Sequence, residues 1–132
     1  MQCQFVRPDR LLFAGEVHHL VLVAELGEIG VWPGHAPEIC ALGSGVVRLT
    51  LPDSDGGGVV NIIVMGGYAE ISNDTVIVLA DHARRSDDIE ADVVQQTKDE
   101  AIAKRDAFKE GDHRRAYYEE KIAWCDLLLK HV

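Results

Sequence analysis

Glycine and proline are distributed very unevenly along this chain of 132 residues. Eleven of the 12 glycines and all four prolines lie in residues 1–67, and only Gly111 follows. Both residues punctuate regular structure, so the first part must be turn-rich and the last part can be continuously helical. The first part carries short apolar runs, Gln2–Arg7, Arg10–Phe13, Glu16–Val23, Glu28–Trp32, Glu38–Leu42 and Val46–Leu51. Glu16–Val23 is long enough for a strand and too short for a helix, and Glu28–Trp32 and Glu38–Leu42 read as short strands or turns. Pro52–Gly58 reads as a loop tip before Val59–Met65, Gly66-Gly67 as a break, and Tyr68–Ile71 with Thr75–Ala80 as a hairpin around Ser72-Asn73-Asp74. Many short strands at close spacing predict a sandwich or barrel of antiparallel sheets.

The style changes near residue 86. Asp87 with Glu90 three positions on reads as a capping-box start, and Asp88 and Asp92 place negative charge at the positive end of the helix dipole. No glycine or proline interrupts Asp87–Lys109; Gly111 then stops the helix and Asp112 can cap the next. Ala116, Tyr117, Ala123, Trp124, Leu127 and Leu128 form an apolar stripe at helical spacing. The expected architecture is therefore α+β, with a helical hairpin, Asp87–Lys109 and His113–Lys130, after the sheets. Its halves differ in charge. Residues 87–110 carry eight acidic and four basic side chains, and residues 113–132 carry three acidic and four basic.

A net charge of −9 with no basic cluster argues against nucleic acid as a partner. Three scattered cysteines, Cys3, Cys40 and Cys125, fit a reducing compartment better than a disulfide framework. Met1–Pro8 runs straight into a strand pattern with no signal or transit segment, and no apolar run of 18 residues occurs. Metal is not expected. The cysteines form no close pair, and His18 and His19 should point to opposite faces of a strand. Gly56-Gly57-Gly58 is followed by Val59-Val60-Asn61, which is no phosphate loop. Cys40 with His35, or Cys125 with His82, is conceivable as a nucleophile and base, but the neighbouring residues make core cysteines of both. The residues by themselves describe a binding or structural protein, not an enzyme, with no cofactor.

Three collinear blocks sharpen this. Gly27-Glu28-Ile29-Gly30-Val31-Trp32-Pro33-Gly34-His35-Ala36-Pro37 closely resembles a segment of the F-type ATP synthase epsilon subunits. Gly66-Gly67-Tyr68-Ala69-Glu70-Ile71 and Val76–Asp81, followed by Ala83-Arg84 and Asp88-Ile89-Glu90, resemble two further blocks of that family in the same order. The resemblance implies a sandwich of about ten strands over residues 1–85 and a two-helix regulatory hairpin over 86–132. It implies a non-catalytic rotor subunit that binds the gamma shaft, rests on the c-ring and couples proton flow to ATP synthesis. Glu28, Gly30, Pro33, Gly34, His35 and Pro37 would form the ring-facing loop. Arg114, Arg115 and Lys121 would meet the catalytic alpha/beta hexamer when the hairpin extends and inhibits hydrolysis. Membrane association would come only through the complex, at the cytoplasmic face of a bacterial plasma membrane. Some members bind ATP at the start of the first helix. Here the matching positions are Ile89, Glu90, Val93 and Val94, without the family's arginine, so no nucleotide site is expected. Trp32 and Glu38 also depart from the family's common choices. The competing reading is a free-standing β-sandwich binding module with a helical tail.

Overall fold

Strand β1, Gln2–Arg7, sits between two neighbours of opposite sense. It pairs antiparallel with β2, Arg10–Glu16, across the Pro8-Asp9 turn, and parallel with β8, Thr75–Arg85, from the far end of the sheet region. In the computed structural model, which describes residues 1–132, the strands between them are β3 His19–Ala24, β4 Gly27–Val31, β5 Glu38–Ala41, β6 Ser44–Thr50 and β7 Val59–Ser72. Hydrogen bonding runs in the order β2-β1-β8-β7-β6-β3-β4, and β5 pairs with β7.

The expected ten or so runs are made by eight continuous strands, because Gly66-Gly67 does not end a strand and β7 and β8 each serve both layers. β7 runs through both glycines. Before them it pairs with β6, and after them with β5, while β8 follows it on both sides. The buried positions shift register there, from Ile62 and Val64 to Ala69 and Ile71. Gly66 and Gly67 have φ of 78° and 122°, and a Cβ on Gly67 would stand 2.2 Å from the Leu79 carbonyl oxygen. Only glycine allows this step. It carries β7 and β8 from one layer into the other, so each layer holds five runs, and a β-sandwich results. One core lies between the layers. Phe5, Leu20, Leu22, Val31, Val47, Leu49, Ile62, Val64, Val76 and Val78 are all wholly buried in it. The alternation along each strand directs these residues inward.

The chain folds as two compact units, Met1–Asp87 and Asp88–Val132. The second is a pair of packed helices, α1 Ala91–Asp106 and α2 Arg114–Lys130. Asp87 does not cap α1. Ser86–Asp88 form a 3-10 turn, Asp87 pairs back with Arg85 at 3.4 Å, and α1 begins after Glu90 without a side-chain cap. α1 also stops at Asp106, short of Lys109. Gly111 then takes φ of 85°, and Asp112 Oδ1 accepts the Arg114 backbone N–H at 2.9 Å, as a capping residue does. The expected stripe on α2 is only half realised. Trp124, Cys125 and Leu128 are buried, whereas Ala116, Tyr117 and Ala123 are exposed.

Candidate functional site

The Gly27–Pro37 segment is β4 followed by a turn. Pro33 fixes the backbone, Gly34 takes φ of 89°, and the His35 N–H reaches back to the Trp32 carbonyl at 3.1 Å. His35 Nδ1 donates to the Ala36 carbonyl at 2.7 Å, and its Nε2 lies 3.8 Å from a Glu38 carboxylate oxygen. Four of the five residues from Pro33 to Pro37 are exposed, and His35 is half-buried. The loop is thus an ordered projection held by its own backbone, and little order remains to be gained on binding.

Glu28 and Gly30 stand on the outward face of β4. Glu28 lies opposite Val23 of β3, and Arg48 of β6 lies opposite Val21, so the two reach across β3 and meet at 2.9 Å. Both are about half exposed, so this pair contributes at most about 1 kcal/mol and leaves the carboxylate open to solvent. Trp32 folds back over Gly30, whose hypothetical Cβ would stand 2.4 Å from the indole. The indole lies parallel to the His19 ring, 4.5 Å between centroids and 4° between planes. His19 Nδ1 in turn shares a hydrogen bond with His18 Nδ1 at 2.8 Å. The expectation that these histidines diverge is therefore wrong. β3 begins only at His19, and His18 lies in a bend where strand alternation does not apply. Sequence reasoning missed this His18–His19–Trp32 cluster and the Arg48 partner. An aromatic residue two positions after a strand glycine was the one available signal.

The three basic side chains of α2 separate. Arg114 is well exposed, bonds Asp112 at 2.7 Å and lies over the Phe108 ring at 4.3 Å. These Arg114 hydrogen bonds hold the Asp112 carboxyl down to about 2. Arg115 instead turns inward within the hairpin, and its Nη1 donates to the carbonyls of Arg105 at 3.0 Å and Phe108 at 2.7 Å. Lys121 is half-buried farther along α2. At the degenerate nucleotide motif, Val94 is buried and Val93 is exposed. No cation stands at either position. Burial pushes the Cys3 thiol up to about 12 and raises that of Cys40, which removes the thiolate a nucleophile needs. His, Cys, Asp and Glu nowhere gather in a group of three suited to a metal. No helix is long and apolar enough to cross a membrane.

Residues 1–86 match the family described as the beta-sandwich domain of the ATP synthase Delta/Epsilon chain. The chain belongs to that family. Its relatives include the ATP synthase epsilon chain of Gloeothece citriformis, 34% identical over 94% of this chain and 87% of that one. The epsilon chain of Dichelobacter nodosus is 41% identical over 74% of this chain and 66% of its own length. The epsilon-family fold also recurs in a chain of the Euglena gracilis mitochondrial ATP synthase OSCP/F1/c-ring structure. The TM-score is 0.68 at 22% identity, covering 96% of this chain and 77% of that one. These likenesses extend past the sandwich, so the helical hairpin belongs to the epsilon-family pattern as well.

Proposed function

We propose that this chain is a non-catalytic rotor subunit of a rotary ATP synthase, peripheral to the membrane and held there by its complex. In this reading the sandwich joins the gamma shaft to the c-ring. The Gly27–Pro37 loop rests on the ring, presenting Glu28 and His35 to polar groups there. Proton-driven rotation then passes through a rigid body without any covalent step. The hairpin regulates hydrolysis by extending towards the alpha/beta hexamer, with Arg114 and Lys121 available to an acidic segment. The complex lies on the cytoplasmic face of a bacterial plasma membrane.

The observation that carries this reading is the projecting loop itself. Its Pro-Gly-His-Ala-Pro backbone is fixed by internal hydrogen bonds while its outer surface stays exposed, which suits a foot that must transmit torque. The test is cross-linking from single cysteines placed at Glu28 and at His35 in the assembled complex. Adducts to the c subunit at both positions are expected. Adducts only to other proteins, or none, would contradict the assignment of this loop. For the hairpin, deleting residues 88–132 is expected to raise ATP hydrolysis by the complex at least several-fold. Unchanged hydrolysis would remove the regulatory reading and leave the rotor reading standing.

A further inference from the structure

We propose that Arg115 and the Lys98–Asp126 pair are two clasps that hold the helical hairpin closed, and that Arg115 thereby opposes inhibition instead of delivering it. Two sets of bonds cross the turn. Arg115 stands in the first turn of α2, yet its guanidinium donates to Arg105 O in the last turn of α1 and to Phe108 O just past it. That end of the helix carries the negative pole of the dipole, and Arg105 O also accepts the Phe108 N–H at 3.1 Å, so the guanidinium adds a second donor there. A guanidinium there supplies donors and charge together, and it is only about one-fifth exposed. Lys98 Nζ meets Asp126 Oδ1 at 2.6 Å, farther from the turn. This contact raises the Lys98 pKa above its ordinary value.

Only bonds that differ between two arrangements can bias the choice between them. The Arg114–Asp112 hydrogen bonds span two residues inside the turn and survive separation of the helices. The Arg115–Arg105 bond and the Lys98–Asp126 pair each join one helix to the other, so both are lost on opening. Arg115 is therefore a positioning residue of the closed state. Its removal should favour the open one.

The direct test is amide hydrogen exchange in the full subunit, which does not depend on the proposed inhibition. Arg115→Ala should speed exchange across 91–106 and 114–130 about tenfold, the usual worth of one charged hydrogen bond. Lys104→Ala, an exposed lysine on α1, should leave it unchanged. Lys98→Asp should speed exchange likewise, and adding Asp126→Lys should restore it, which a merely misfolded variant would not do. Wild-type exchange in both Arg115→Ala and Lys98→Asp would overturn the clasps. In the assembled complex, Arg115→Ala should lower ATP hydrolysis at least twofold. Faster exchange with unchanged hydrolysis would support the clasps and contradict the inhibitory reading they are joined to here. Higher hydrolysis with unchanged exchange would overturn the proposal and return Arg115 to a contact with the catalytic subunits.

Discussion

Trp32 lies flat on His19, their ring centroids 4.5 Å apart and their planes within 4°. The contact exists because Gly30, two residues back on the same face of β4, leaves room for the indole. A Cβ there would be 2.4 Å from the ring. Gly30→Ala should therefore push Trp32 off His19, destabilise the sandwich by about 1 kcal/mol, and red-shift the emission of Trp32. Fluorescence in a Trp124→Phe background isolates that signal. An unmoved emission maximum would mean the stack does not depend on the glycine.

Gly67 and Gly34 both have positive φ but should respond differently to alanine. At Gly67 the new Cβ meets the Leu79 carbonyl oxygen at 2.2 Å, whereas at Gly34 nothing lies within 4 Å. Gly34→Ala should cost only the left-handed backbone penalty of about 1–2 kcal/mol. Gly67→Ala should cost more than about 3 kcal/mol, because β7 and β8 must separate at the step. Chemical denaturation of both variants decides this, and equal losses would contradict the close approach.

Part of the sheet region was legible as sequence, since turn residues and apolar runs locate β1, β4, β5 and β6 within a residue or two. By contrast, β2 and β8 run on past Phe13 and Ala80, and β3 starts three residues after Glu16. Gly66-Gly67 misled because the same positive-φ capacity that ends strands also lets one strand step between layers. His18-His19 misled because alternation holds only inside a strand, and the strand begins between them. At the hairpin, Asp87 and Glu90 carried a capping pattern, but Arg85 claims Asp87 first. Arg115 could be read from sequence only as a charge. Its partners are backbone carbonyls, which no pattern of side chains reveals.

The turn of the hairpin should be sensitive to acid. Arg114 holds the folded Asp112 carboxyl at about 2, below the ordinary carboxyl value of 3.8. A depressed folded pKa stabilises the turn above the unfolded value and loses that stabilisation as pH falls through the window to about 2. With the intrinsic pH dependence of amide exchange divided out, protection at 107–113 should fall between about pH 4 and pH 2, roughly where that linkage places the protonation. Asp112→Asn should abolish that dependence. A wild-type profile as flat as that of the variant would contradict the Asp112–Arg114 assignment.

Nucleotide should not bind at the start of α1. Val94 is buried and Val93 carries no charge to meet a phosphate. Isothermal titration of the subunit with ATP is expected to show no heat of binding. An affinity in the micromolar range would contradict this.

Under the proposed function the chain works as a rotor subunit of an ATP synthase. The most direct measurement is affinity purification through a tag on this chain from detergent-solubilised membranes of its own cells, with quantitative mass spectrometry of what accompanies it. Recovery of gamma, c and the catalytic subunits in fixed proportion is the predicted result. Recovery of the chain alone, or with unrelated proteins and no ATP synthase subunits, would contradict it.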